Sequence, residues 1–314
     1  QKEFSMHRNR PFKIGVFVPH FERPWNGTTI GWNEIRAMAT TAEDVGFDSV
    51  WLPDHLLFRF PDVHPQGVWD VWSLMPALAA VTTRVEIAPL VACSSFRNPA
   101  LIAKMADTID EISAGRFILG LGAGWHRPEY DAFGFPYDHR VSRFEEALTI
   151  IHSLLRTGQV DFQGTYYSAR ECELRPRGPR PEGPPILIGS SSPRMMGLMA
   201  KYADFWNKDR LNDIDQLLGM EAKVDAACLA AGRDPATLGR VVGIQVDMLD
   251  EEREAFTPRQ WIKTPFPLSG SPEELAEQIR AYTRAHVDHL IVSIDPITPA
   301  ALEAFAPVLE LLDL

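Results

Sequence analysis

A closed (β/α)8 barrel is the fold class this 314-residue sequence predicts. Short β-branched runs alternate with amphipathic stretches from end to end, and such alternation implies a parallel sheet. Eight strand–helix units can be counted, which over this length fit a closed barrel better than an open doubly wound sheet. No linker, internal repeat or low-complexity tract divides them. Length alone would suggest two domains, but α/β barrels commonly exceed the average domain size. Residues 1–314 are therefore expected to form one barrel, with residues 157–184 inserted into it.

KIGVFV (Lys13 to Val18) is the first strand. After a loop rich in Pro, Asn and Gly, WNEIRAMATTAEDV carries Trp32, Ile35, Ala39, Ala42 and Val45 at helical spacing, and Gly46 is placed to cap its end. DSVWL is the second strand and VWSLMPALAAV the second helix. VEIAPLV (Val85 to Val91) is the third strand, followed by the helix ALIAKMADTIDEI. FILGLGA (Phe117 to Ala123) is the fourth strand. HRPEYDAFGFPYDHR then reads as loop, because Pro128 and Pro136 interrupt it, and VSRFEEALTIIHSLLR follows as the fourth helix. Residues 157–184 are polar and rich in Pro and Gly, with a small hairpin expected around GTYYSA. ILIG, a short helix from Pro193, DFWN, and a helix over roughly Ile214 to Ala231 resume the alternation. RVVGIQVDML, SPEELAEQIRAYTRA, HLIVSI and PAALEAFAPVLELL complete it.

Composition narrows the function classes. The chain is 45% hydrophobic and 23% charged, ordinary for a protein that buries a large core. A formal charge of −11 argues against nucleic acid or an anionic membrane as partner, since both need a basic face. No apolar run approaches the roughly 20 residues that span a bilayer. QKEFSMHRNRPFK lacks the apolar stretch of a secretory signal, and Met6 is read as the natural start. Cys93, Cys172 and Cys228 are odd in number and far apart, so neither a disulfide framework nor a zinc site is expected, and a cytoplasmic location is.

In such a barrel, functional side chains sit just past the strand C-termini. GLGAGW (Gly120 to Trp125) resembles a dinucleotide loop, but its third glycine falls one residue early and no helix is expected directly after it. Its glycines either admit a flat ring close to the backbone or only make room for packing. GSSSPRM puts Ser192 at an N-cap and Pro193 at the first helical position. The amides and hydroxyls there suit a phosphate, or else simply cap a helix. PDH, holding Asp54 and His55, could shuttle protons, bind metal or cap a loop. His20 lacks a His-x-His partner, and His64, His126 and His139 lack ligand spacing, so no metal is expected. Trp125 and Trp206, at the ends of the fourth and sixth strands, read as walls of an aromatic pocket or as core. Arg97, Arg140 and Arg143 are further candidate anion contacts.

SVWLPDH, VACSSFRNPALIAKMADTIDEISAGRFILGLGAGWHRPEY, FGFPYDHRVSRFEEAL and PPILIGSSSPRMMGLMAKYADFWN together resemble the luciferase-like flavin oxidoreductases. Within them the chain is most similar to the short subgroup associated with coenzyme F-420, a 5-deazaflavin. The order and spacing of the blocks carry the likeness from Lys13 to about Asn207, and more loosely through GSPEELAEQIRAYTRAHVDHLIV. The resemblance implies a (β/α)8 barrel with an insertion. It places the cofactor phosphate on Gly189, Ser190, Ser191 and Ser192, and the flat ring near Leu90, Val91, Ala92, Gly122, Ala123 and Gly124. It sets His55 beside that ring, and a non-proline cis peptide near Leu90–Val91.

One departure bears on substrate. The family's sugar-phosphate dehydrogenases carry a glutamate directly after the glycine run, where this chain has Trp125, so an apolar or aromatic substrate is expected instead. The resemblance implies hydride transfer between a deazaflavin (coenzyme F-420) or FMN and a small organic substrate, by a homodimer. Its alternatives are a monooxygenase that takes reduced FMN from a separate reductase, a flavin-binding relative without turnover, and a metal-dependent barrel hydrolase. Asp54, His55 and Trp125 are the expected catalytic residues, with Trp206 among those that hold the cofactor. His55 and Trp125 are expected to face one cavity floored by the glycine run.

Overall fold

The computed structural model describes residues 10–23, 27–248, 267–295 and 297–313. The expected start at Met6, and Leu249 at the end of RVVGIQVDML, lie outside them. In chain order the elements are β1 (Lys13–Phe17), α1 (Trp32–Val45), β2 (Ser49–Leu52), β3 (Leu57–Phe58), β4 (Gln66–Gly67), α2 (Val71–Val81), β5 (Glu86–Pro89), β6 (Ala92–Cys93) and α3 (Pro99–Ile112). There follow β7 (Leu119–Gly122), α4 (Arg127–Phe133), α5 (Arg140–Thr157), β8 (Gln159–Gln163), β9 (Ser168–Glu173), β10 (Ile186–Gly189), α6 (Pro193–Tyr202) and β11 (Phe205–Lys208). The last are α7 (Ile214–Ala230), β12 (Gly239–Asp247), α8 (Pro272–Arg284), β13 (His289–Asp295) and α9 (Pro299–Leu312).

The main sheet runs β5-β2-β1-β13-β12-β11-β10-β7-β6, all neighbours parallel. β5 and β6 are the two halves of the third barrel strand: β5 pairs with β2, β6 with β7. Between them lies a cis peptide at Leu90–Val91, where the resemblance puts it. A parallel bridge from Ile87 to Phe117 closes the ring, with Ile118 N donating to Ile87 O at 3.0 Å. The predicted barrel is therefore the observed one.

Side chains alternate across the strands. Trp51, Ala88, Ile118, Leu187, Val241 and Ile291 fill the lumen, while the larger apolar cluster lies between sheet and helices. Inside the lumen Trp51 Nε1 donates to Ser49 Oγ at 2.6 Å, and Ser49 Oγ meets His289 Nε2 at 2.7 Å. Burial pushes the His289 imidazole down to about 3. Gly15 admits this network, since a Cβ there would stand 2.1 Å from Ser49 Oγ.

Helix ends follow their local chemistry. Asp70, Asn98, Asp213 and Thr298 accept from first-turn amides, and Ser271 forms a reciprocal capping box with Glu274. Residues 157–184 carry the antiparallel hairpin β8–β9, whose turn is tied by Glu146 accepting from the amides of Thr165, Tyr166 and Tyr167.

Two local expectations are corrected. HRPEYDAFGFPYDHR is not all loop, because residues 127–133 form α4. Pro128 stands in the first turn, where its missing N–H would have no helical partner, and Gly134 ends the helix at φ +78°. The loop after β2 also holds the short hairpin β3–β4, pinned where Gly67 N donates to Glu22 Oε2 at 2.6 Å. Among the described residues no helix is long and apolar enough to cross a membrane, and the three cysteines are free.

Candidate active site at the strand C-termini

β2 ends in Pro53, Asp54 and His55, and extended backbone sends neighbouring side chains to opposite sides. Asp54 turns inward and is fully buried: its Oδ2 accepts from Cys93 N at 2.9 Å and from Arg97 Nη1 at 2.8 Å. Its Oδ1 is buried without a hydrogen-bond partner. Burial raises this carboxyl, against the pull of the Arg97 guanidinium. Arg97 continues to Asp70 Oδ1 at 2.8 Å. Of the roles left open for PDH, Asp54 takes that of tying loops: it joins the β6 loop to the end of β2, while His55 meets Glu129 instead.

His55 goes the other way. Its Nδ1 lies 2.8 Å from Glu129 Oε1, while Glu129 Oε2 accepts from Leu56 N at 2.8 Å. Glu129 is 2% exposed and sits in the first turn of α4. Sequence reasoning missed it because the segment read as loop; the signal was a glutamate one residue after a proline, a common start for a helix. Phe58, Trp125 and His126 surround the His55 ring with centroids at 4.4, 5.6 and 6.4 Å. Phe60 stacks near Trp125 at 6.3 Å, and Trp125 is 58% exposed despite these contacts. His126 Nε2 accepts from Arg59 N, and burial lowers this imidazole. His20, fully buried after β1, is brought down to about 4 by burial.

The fourth strand meets the third at its break. A Cβ on Gly120 would fall 2.2 Å from Pro89 O, and one on Gly122 2.7 Å from Val91 Cγ2. The space over Gly120 is taken chiefly by the Pro89 carbonyl and that over Gly122 by Val91, which Gly189 of β10 also faces. At Gly120 and Gly122 the missing side chains let the third strand pass close against the fourth. Leu90 and Val91 remain partly exposed on top, and Ala92 is buried. Gly124, at φ +75°, leaves room for Tyr130 Oη and Cys93 Sγ, which lie 3.0 Å apart. The Tyr130 hydroxyl donates to Ala123 O, and burial pushes the Cys93 thiol up to about 12, so it stays a thiol.

After β10, Ser192 takes the N-cap position of α6 but its hydroxyl makes no capping bond. Ser191 and Ser192 are exposed, and the Ser190 hydroxyl is buried without a partner. The first turn of α6 thus begins without a side-chain cap from Ser192. Trp206 is placed differently from expectation. It lies fully buried in the helix-facing layer rather than walling the mouth, and its Nε1 donates to Ser190 O at 3.0 Å. The alternation along β11 turns Phe205 and Asn207 inward and Trp206 outward.

Of the arginines, Arg97 is held by two aspartates and Arg143 by Asp138, while Arg140 stacks on Tyr137 at 3.9 Å. Arg140 Nη1 is buried without a hydrogen-bond partner. Among the described residues no three His, Cys, Asp or Glu side chains gather as a metal site. One cavity of about 440 Å³ opens at the strand N-termini, lined by Lys13, Ile118, Phe205, Val241 and His289 among others. Another of about 460 Å³ lies beside the insertion against Glu145, Tyr166 and Arg194. Neither takes in His55 or Trp125, whose rings meet edge to face at 5.6 Å on the strand C-terminal side.

A barrel of this topology, with a broken third strand and an open helix start after the fifth, matches a family model described as luciferase-like monooxygenase over residues 12–266. The chain belongs to that family of oxidoreductases. Pyrimidine monooxygenase RutA of Enterobacter cloacae is 35% identical over 62% of this chain and 56% of its own length. The match thus spans little more than half of that relative. RutA of Shigella flexneri is 31% identical over 88% of this chain and 74% of its own. A 5,10-methylenetetrahydromethanopterin reductase of Archaeoglobus fulgidus is 28% identical over 85% and 73%. Among solved structures, an F420-dependent secondary alcohol dehydrogenase with an F420–acetone adduct aligns at TM-score 0.77 and 20% identity, covering 95% of this chain and 98% of that one. Monooxygenase RslO1 from Streptomyces bottropensis aligns at 0.71 and 19%, covering 96% and 97%. At such identities the structures establish a shared fold.

Proposed function

We propose that this protein transfers a hydride between a reversibly bound deazaflavin (coenzyme F-420) or FMN and a small, flat or apolar organic substrate. The observation that carries the reading is the start of α6, where the Ser190 hydroxyl is buried and unpartnered and the Ser192 hydroxyl leaves the first-turn amides open. These donors fit a phosphate, and the backbone of Gly189 to Ser192 would hold it. The partly exposed Leu90 and Val91 would support the ring. The bound cofactor supplies the hydride acceptor or donor. The chain's own groups bind and orient: Trp125 and Phe60 offer an aromatic face, and His55 offers its ring edge to a proton.

A second reading is supported by the 35% identity to a pyrimidine monooxygenase. In it the same mouth binds reduced FMN from a separate reductase, and oxygen is consumed. Side-by-side titration of the protein with FMN and with the deazaflavin tests both readings. Ser191→Asp should weaken whichever cofactor binds by more than about tenfold, or ~1.4 kcal/mol, because a carboxylate then faces the phosphate. Unchanged affinity in that variant would sink the phosphate assignment, and substrate-dependent oxygen uptake would favour the monooxygenase.

A further inference from the structure

The buried carboxylate of Glu129 has no place in the sequence-based expectations, yet it contacts the imidazole of His55 through Nδ1. We propose that Glu129 is a positioning residue which fixes the tautomer of His55, so that the neutral imidazole offers a bare Nε2 to the substrate. The proposal rests on the reading of the strand C-termini as the active site.

A carboxylate only accepts hydrogen bonds. One Glu129 oxygen is occupied by the Leu56 amide, and the other stands 2.8 Å from His55 Nδ1. Nδ1 must therefore carry the hydrogen, which leaves the lone pair on Nε2 at the opposite edge of the ring. The geometry is held from both sides. Glu129 is 2% exposed and anchored in α4, and the imidazole is packed among Phe58, Trp125 and His126. Asp54, the neighbour that a sequence reading pairs with His55, is engaged by Cys93 and Arg97. His126, the other nearby imidazole, already accepts the Arg59 amide through Nε2. The fixed tautomer suits substrates that lose an O–H or N–H proton when a hydride leaves carbon. In that step the C–H electron pair passes to the cofactor, the O–H or N–H pair forms the new C=O or C=N bond, and the proton goes to Nε2. Run backwards, the same nitrogen returns the proton.

The test is a two-bond ¹H–¹⁵N correlation spectrum of the ¹⁵N-histidine-labelled protein in mildly alkaline buffer, with His55 assigned by its loss in His55→Gln. Wild type should show His55 protonated on Nδ1 with a bare Nε2; a protonated Nε2 would overturn the proposal without any variant. Glu129→Leu should release the ring to a tautomer mixture, and Glu129→Gln, which retains an acceptor oxygen, should restore the Nδ1–H form. If Glu129→Leu folds and leaves the tautomer unchanged, the positioning role is wrong. In turnover, Glu129→Leu should lower kcat roughly tenfold or more with cofactor affinity within about twofold of wild type. Equal loss of both would mark a merely structural residue and overturn the proposal. Should neither cofactor bind wild type, the proposed function fails while the spectrum still reads Glu129 directly.

Discussion

Val91 shows how one side chain can set the chemistry of its neighbours. Its Cγ2 fills the space that a β-carbon on Gly122 would need, its Cγ1 stands 3.3 Å from where one on Gly120 would fall, and both reach toward Gly189. A β-branched side chain has few rotamers with which to yield. Gly122→Ala should therefore displace Val91 at the proposed ring site and weaken cofactor binding about tenfold. Adding Val91→Ala vacates that space and should restore most of the loss, since contacting residues are not additive. Titration of both variants decides: losses that simply add would show that the glycine serves something other than Val91.

At the scale of the element, the mouth is assembled from loops tied to one another by buried polar contacts. Asp54 links the end of β2 to the start of β6 and, through Arg97, to the N-cap of α2. Asp54→Ala removes a fully buried carboxylate and leaves the Cys93 amide and part of a guanidinium unmatched. Urea unfolding should register on the order of 3 kcal/mol. Asp70→Asn keeps a capping oxygen and cuts only a half-exposed ion pair, so it should cost less than about 1 kcal/mol. A small effect of Asp54→Ala would mean that these loops hold their places by packing alone.

For the molecule as a whole, the buried histidines couple stability to pH. Burial brings His20 from its ordinary 6.5 to about 4 and His289 to about 3. Unfolding frees both rings to bind protons below pH 6.5, while the folded state stays neutral until near those lowered values. Their stabilising contribution is complete above the unfolded value and is lost as pH falls, by roughly 4 kcal/mol for the two together between about pH 7 and pH 5. Urea midpoints across that range should fall, and His289→Gln should make the fall shallower. An equally steep fall in that variant would show that His289 takes no part. In the same measurements, the barrel closed through Ile87 and Phe117 is expected to unfold in one transition.

Strand and helix periodicity, cap residues and the order of the blocks were local properties, and they determined the barrel, the hairpin within residues 157–184 and the helix start at Ser192 and Pro193. They also determined which residues lie on the rim, because topology alone carries a residue past a strand end to that face. Which rim residues meet was not local. His55 and Glu129 are 74 residues apart, and the contact needed α4, hidden behind prolines that read as breakers. Asp54 and His55 are neighbours in sequence, yet extended backbone turns them apart. Trp206 looked like a pocket wall until the register of β11 faced it toward the helices. Periodicity tells an inward side chain from an outward one only when the phase of the strand is known. For a strand buried on both faces, that phase is decided by tertiary packing.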